Sequence, residues 1–142
     1  MSVNSQLDVA AVLDAHHNFV TETSLTFCNV YTAAFLGLRG HVIPVTMSAN
    51  ELADWFVSMA GINAGWRSAT PGEALAIANS GGDVVAVAKD NPHGHIGVVV
   101  ESLPNTPGRL CVSAAGRHNF VRAPIERSFG LLVPSFFVNI GE

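Results

Sequence analysis

The sequence contains few charged residues. Asp, Glu, Lys and Arg together make up only 13% of its 142 residues, about half the share found in an ordinary globular protein. Apolar residues make up 49%, and a chain with this much hydrophobicity and so little charge is not intrinsically disordered. The seven Lys and Arg residues are scattered, and the formal net charge is -4. Because binding to phosphates requires clustered positive charge, the sequence argues against a nucleic-acid partner.

Long apolar runs and abundant cysteine are also missing, and we expect no leader sequence. No apolar run approaches the ~18–20 residues of a membrane span, so we expect no membrane partner. The two cysteines, Cys28 and Cys111, are too few for a disulfide framework, although a single bridge between them stays open. The N-terminus has no basic region, and Asp8 and Asp14 interrupt its apolar positions, which is unlike a signal peptide. We therefore expect one domain over residues 1–142, synthesised in the cytoplasm with free thiols.

The first half of the chain has apolar residues at helical spacing. Asn50 and Thr70 are candidate N-caps, and Gly61 and Gly81 stand where helices commonly stop. The pattern predicts four helices, over residues 7–20, 24–38, 49–61 and 69–82.

The second half is dominated by β-branched runs separated by proline, glycine and asparagine. These runs predict strands over residues 83–90, 95–102, 109–116 and 129–140, with a short fifth strand over 119–125. Helices followed by adjacent strands are typical of an α+β fold. We expect N-terminal helices packed on a mainly antiparallel sheet of about four to six strands.

Cys28 lies near the N-terminus of a predicted buried helix. The unpaired N–H groups and the positive dipole end of a helix N-terminus favour a thiolate, and the N–H of Cys28 itself could bind an oxyanion. This combination makes Cys28 a candidate nucleophile. The alternative is a small buried hydrophobic residue, which is the common role of a free cysteine.

A cysteine nucleophile needs a base within hydrogen-bond reach, about 2.6–3.2 Å. His95 follows Gly94 and opens a predicted strand, whose sheet would fix its backbone. His95 is therefore the preferred candidate for the general base. His93 is the rival candidate, but it lies in the DNPHG turn, where we expect its position to be held less firmly.

A third polar group should orient the imidazole through its other nitrogen. The strand after the one that His95 opens is its expected neighbour, and alternation puts Ser113 on one face of that strand with Cys111. Ser113 is thus the candidate orienting residue, although a neutral hydroxyl orients weakly and an ordinary strand serine is the alternative. Asn119 is a second candidate, and His118 is expected to be a loop residue.

Several other kinds of site have no support in the sequence. HExxH, CxxC, GxSxG and glycine-rich phosphate loops are all missing. Only Glu101 and Glu126 fall near the candidate site residues in the sheet half, so a mechanism with paired carboxylates lacks its parts. His93 and His95 with Cys111 would be a weak zinc site. We expect no metal and no organic cofactor.

Three segments together resemble a known family: TFCNVYTAAFLGLRG, GDVVAVAKDNPHGHIGVVVES and LCVSAAG. They are similar to papain-like cysteine amidases and peptidases of the NlpC and CHAP type, which include small type VI secretion amidase effectors and phage-type cell-wall hydrolases. That family has a nucleophilic cysteine at the start of a buried helix, a Gly-His-(Val/Ile) step opening a strand, and a third polar residue on the next strand. Cys28, His95 and Ser113 stand at these positions. Serine departs from the family's usual third residue, which favours a Cys–His dyad over a complete triad.

The resemblance covers about residues 22–116 and implies a papain-like (NlpC/CHAP-like) fold. It also implies hydrolysis of an amide bond in peptidoglycan stem peptides through a thioester on Cys28, with no cofactor. Without a leader, such an enzyme would reach the cell wall through a secretion machine or at lysis, and an effector would have a cognate immunity or inhibitor protein. Trp55, Trp66, Tyr31 and Arg67 are candidates for the cleft, with core or surface positions as the alternatives.

Two other functions stay open. A papain-like deamidase or acyltransferase acting on protein would use the same thioester chemistry. A non-catalytic module that binds wall fragments or a partner protein is the alternative from a different class, and the weak third residue favours it.

Overall fold

The computed structural model describes residues 6–15, 28–44, 46–115 and 120–140. Six helices and six strands lie within these ranges. In chain order they are α1 (Gln6–Ala15), α2 (Cys28–Leu38), α3 (Ala49–Phe56), α4 (Met59–Asn63), β1 (Trp66–Ala69), α5 (Pro71–Asn79), β2 (Asp83–Ala88), β3 (His95–Val100), β4 (Cys111–Ala114), β5 (Phe120–Pro124), α6 (Ile125–Phe129) and β6 (Ser135–Asn139). No helix among the described residues is long and apolar enough to cross a membrane.

The strands form one antiparallel sheet in the order β1-β6-β2-β3-β4-β5. The predicted α+β class with a mainly antiparallel sheet is therefore confirmed. The predicted pairing of β3 with β4 is also confirmed, with Val98 opposite Ser113. Neither Cys28 nor Cys111 forms a disulfide.

Alternation along the strands sorts the apolar side chains into two layers. Val85, Val87 and Ile96 pack on one face of the sheet with residues of α2 and α3, and Val98 and Val100 extend this face under α1 and α2. The opposite face carries a third cluster, built from β2, β3, β4, β6, α5 and Phe129 of α6: Ala74, Ala78, Val84, Ala86, Ala88, Val99, Val112, Phe129, Phe136 and Val138. The sheet is thus covered by helices on both faces.

The helix ends depart from two of the predicted signals. Ser48, not Asn50, caps α3: its Oγ accepts from the Glu51 backbone N–H at 3.2 Å, and the Glu51 carboxylate accepts from the Ser48 backbone N–H at 2.9 Å. The predicted helix over 49–61 is two helices, because Ser58 caps a new one. Gly61 does not stop a helix; a Cβ there would collide with the Trp55 carbonyl oxygen. The predicted Thr70 cap is confirmed and also forms a capping box.

The strand predicted over 129–140 is shorter than expected. Its first part belongs to α6 and to a turn at Gly130, whose φ of 61° suits a residue without a side chain. Only Ser135–Asn139 pairs in the sheet, between β1 and β2. Strand β1 was not predicted, since its four residues form a run too short to show a clear alternation.

A polar cluster joins the far end of α2 to the start of β2. Asp83 accepts from the Arg39 guanidinium and lies 2.7 Å from His41 Nε2, and Arg39 also donates to the Gly81 carbonyl at 2.7 Å. Because Asp83 is the first residue of β2, α2 runs along the sheet in the direction opposite to β2. The N-terminus of α2, which carries Cys28, consequently lies near the end of β2 and the start of β3.

Candidate active site

Cys28 is the first described residue of α2, and residues 24–27 of the helix predicted over 24–38 lie outside the described residues. It is 2% exposed and belongs to the apolar cluster beneath α2 and α3. Cys28 also lines a pocket of about 280 Å³. The described residues lining this pocket are Cys28, Asn29, Thr46, Ser48, Ala49, Asn50, Glu51, Pro92, His93 and Gly94. Cys28 therefore places a thiol beside this pocket.

His93 is the histidine in this pocket. It lies in the loop between β2 and β3, just before the strand that His95 opens, and its side chain is exposed. The ionisable side chains among the described lining residues are those of Cys28, Glu51 and His93. Cys28 and His93 thus bring a thiol and an imidazole to one pocket.

His95 is the first residue of β3, as expected, but it faces away from the Cys28 pocket. Its Nε2 atom lies 2.7 Å from Ser128 Oγ, and its ring contacts Phe129 edge-to-face with centroids 4.7 Å apart. The next residue, Ile96, faces the cluster that contains Cys28, and successive strand residues point to opposite faces. Burial lowers the pKa of His95 to about 4, so its imidazole is neutral at pH 7.

Ser113 is fully buried on β4, and its Oγ accepts from the Arg122 backbone N–H at 3.0 Å. Alternation puts Ser113 on the same face as Cys111, under α1 and α2, whereas His95 faces α6. The expected contact between Ser113 and His95 is therefore not present, although their strands are neighbours. Ser113 instead supports the irregular pairing of β4 with β5.

Arg122 explains why this support is needed. Its φ of 54° lies in the left-handed region, which residues with a side chain seldom adopt. The guanidinium donates to the Glu101 carbonyl at 3.1 Å and also bonds the Ser102 carbonyl. These bonds, together with the bond from the Arg122 N–H to Ser113 Oγ, hold the strained residue in place. The alternative orienting residue Asn119 and the predicted loop residue His118 lie outside the described residues.

None of the four candidate cleft residues lines the Cys28 pocket. Tyr31 and Trp66 are buried in the core, Trp66 with its ring edge against Phe56 at a centroid distance of 5.1 Å. Arg67 is exposed on β1, beside a separate groove. Trp55 is half-buried and lines a shallow depression next to the Cys28 pocket, with which it shares Glu51. Of the four, only Trp55 lies beside the candidate site.

Two asparagines of the pocket escape prediction from the sequence. Asn29 directly follows Cys28, and its side chain donates to the Met47 carbonyl at 2.8 Å. Asn50 resembles a helix cap in the sequence, yet its side chain bonds Asp90 across 40 positions of chain. A polar residue with two equally plausible local roles gives no signal of such a distant contact.

Within residues 6–15, 28–44, 46–115 and 120–140, no group of three His, Cys, Asp or Glu side chains could hold a metal ion. Comparison of the chain with protein-family models and with curated proteins finds no match. The geometry of the pocket is therefore the basis for a functional hypothesis. A thiol and an imidazole that share a pocket can perform acyl transfer by nucleophilic attack of the thiolate on a carbonyl carbon.

Proposed function

We propose that the protein is a cysteine-dependent amidase in which Cys28 is the nucleophile and His93 the general base. The observation that carries this proposal is that both residues line one pocket, beside the first described turn of α2. The resemblance to NlpC- and CHAP-type enzymes supports a papain-like fold and a peptidoglycan stem peptide as substrate.

His93 is preferred to His95 for two physical reasons. The His95 ring lies on the opposite face of the sheet, against Ser128 and Phe129. Its pKa of about 4 also makes it a poor proton acceptor near neutral pH, where an effective general base has a pKa close to the operating pH. The resemblance implies instead that His95 is the base. Substitution of His93 and of His95 in separate variants tests this alternative.

The reaction would begin with transfer of the Cys28 thiol proton to His93. The thiolate attacks the amide carbonyl carbon and forms a tetrahedral intermediate whose carbonyl oxygen becomes an oxyanion. The C–N bond then breaks while His93 returns its proton to the departing amine. Water, deprotonated by His93, hydrolyses the thioester and restores the thiol.

The setting that we propose is the bacterial cell wall. A stem-peptide amidase would act there after delivery by a secretion machine or release at lysis, and an effector of this kind would be paired with an immunity protein. Both parts of this proposal rest on the resemblance of the three segments around Cys28, His95 and Ser113.

The direct test is a digest of purified peptidoglycan by the wild type, Cys28→Ala and Cys111→Ala, with mass spectrometry of the released fragments. We expect the same new fragments from the wild type and Cys111→Ala, and none from Cys28→Ala. Cys111→Ala is the matched control because it also removes a buried thiol, beneath α1 and α2 rather than at the pocket. No fragments from a folded wild type would overturn the peptidoglycan assignment. Release of ammonia from a protein glutamine would then identify a deamidase.

A further inference from the structure

The side chain of Asn50 fastens the loop that carries His93 to α3. Asn50 Nδ2 donates to the Asp90 carbonyl oxygen at 2.8 Å, and Asn50 Oδ1 accepts from the Asp90 backbone N–H at 3.1 Å. The side-chain amide therefore satisfies both backbone groups of a single residue, as a neighbouring strand would. Two bonds in opposite directions fix both the position and the orientation of the loop backbone at Asp90.

Gly94 permits the same side chain to touch the loop on the other side of His93. A Cβ at Gly94 would collide with Asn50 Oδ1 and with the Ala88 carbonyl oxygen, both nearer than the 3.0 Å that real Cβ atoms keep. Asn50 thus contacts the loop before His93, at Asp90, and after it, at Gly94. His93 therefore lies between two loop residues, Asp90 and Gly94, that both contact Asn50.

The support itself is tied to the nucleophile. Asn29, next to Cys28, donates to the Met47 carbonyl at 2.8 Å. Ser48, the residue after Met47, caps α3. Asn50 is the second residue of that helix. A short series of contacts therefore runs from the residue beside Cys28, through the start of α3, to the loop of His93.

We propose that Asn50 is a positioning residue that holds His93 towards Cys28. This inference rests on the proposed function, because it concerns the reactivity of the same thiol and imidazole. A second link, the ion pair of Lys89 with Asp54, joins the same loop to α3. That ion pair is exposed, and exposed pairs contribute only about 0–1 kcal/mol. Asn50 is therefore the contact whose loss should release the loop.

The test measures the rate at which iodoacetamide alkylates Cys28 at pH 7, with peptide mass mapping to separate Cys28 from Cys111. The proteins compared are the wild type, His93→Ala, Asn50→Ala and the double variant. We expect Asn50→Ala to slow alkylation by about 10- to 100-fold, since small displacements of a reacting group have effects of this order. The double variant should react as slowly as His93→Ala and no slower, because Asn50 acts through His93.

Two control variants separate positioning from general destabilisation. Asn79→Ala removes an asparagine that fastens another loop in the same way, donating to the Pro107 carbonyl at 3.1 Å and accepting from the Ser102 N–H at 2.8 Å. Asp54→Asn removes only the Lys89 ion pair. Neither change should alter the alkylation rate more than about twofold. If Asn50→Ala does not fold, Asn50→Asp retains the acceptor for the Asp90 N–H and should show an intermediate rate.

The two hypotheses fail in different ways. A wild-type rate that His93→Ala leaves unchanged would overturn the proposed pairing of Cys28 with His93. A rate that His93→Ala lowers but Asn50→Ala or Asn50→Asp leaves at the wild-type value would overturn the positioning role alone. A slower Asn50→Ala whose double variant is slower still would also overturn it, because Asn50 would then act independently of His93.

Discussion

Two histidines that are close in sequence have different environments on the two faces of the sheet. On the face covered by α2 and α3, His93 lines an open pocket with Cys28. On the other face the half-buried His95 packs against Ser128 and Phe129, and its removal from solvent lowers its pKa to about 4. The two residues are only two positions apart. His93 lies in the loop, so the alternation of side chains along β3 does not determine the direction of its ring. His95 is the first residue of β3, and the alternation does determine its direction.

The largest effect expected on the pocket face follows removal of the proposed nucleophile. Cys28→Ala should abolish hydrolysis, because no thioester can form without the sulfur. Its melting temperature should stay within about 3 °C of the wild-type value, since loss of one small buried side chain costs on the order of 1 kcal/mol. Peptidoglycan digestion and circular dichroism measure the two quantities. Residual hydrolysis, or collapse of the fold, would show that Cys28 is a core residue and not the nucleophile.

Separate substitution of the two histidines compares the two faces directly. His93→Ala should lower the hydrolysis rate by about 10²- to 10⁴-fold, as expected for loss of a general base. His95→Gln, which keeps a polar group near Ser128, should change the rate by less than about threefold. Initial hydrolysis rates of the two variants on the same peptidoglycan preparation show which histidine is the base. The reverse order would restore His95 as the base and contradict the assignment made from the pocket.

Low pH should lower the free energy of unfolding because of His95. The unfolded chain binds a proton on this residue below about pH 6.5, whereas the native state does so only near pH 4. Stability therefore falls as the pH drops through this window, by about 3 kcal/mol at pH 4. His95→Gln lacks this contribution. Urea unfolding of both proteins at pH 7 and pH 4 should show the wild type losing that much more than the variant. An equal loss in both would mean that the native state accepts the proton without cost.

The smallest effect is expected at Ser113. Ser113→Ala leaves the Arg122 N–H without its hydroxyl acceptor, which should cost about 1–2 kcal/mol of unfolding free energy. The hydrolysis rate should stay within about twofold, because Ser113 and His95 lie on opposite faces of the sheet. Chemical denaturation and peptidoglycan digestion give the two values. A large loss of rate in a stable protein would instead support the orienting role predicted from the resemblance.

The type and order of most elements follow from the sequence. Helical spacing in the first half and β-branched runs in the second predict α1, α2, α5 and the antiparallel core of β2, β3 and β4. The Thr70 cap is readable because Glu73 stands three positions later. Ser48 has the same relation to Glu51, so the signal for the true start of α3 was present in the sequence.

The arrangement of the site could not be predicted in the same way. Alternation predicts which residues of a strand share a face of the sheet, but it does not predict which of the two faces packs against α2. The side of His95 therefore depends on tertiary packing, in which Ile96 fills the cluster beneath α2 and α3. The role of Asn50 depends on a contact across 40 positions, for which a single sequence offers no local pattern.

The cluster of Arg39, His41 and Asp83 has a consequence for protein engineering. It secures α2 to β2 at the end remote from Cys28, while Asn29 holds the segment before α3 and Asn50 holds the loop of His93. All of these contacts lie between Cys28 and Gly94, in one continuous stretch of chain. The loop between β3 and β4, which Asn79 holds, supplies none of them. That loop is consequently a place where an affinity tag or a targeting module could be inserted while the geometry of the thiol and imidazole is retained.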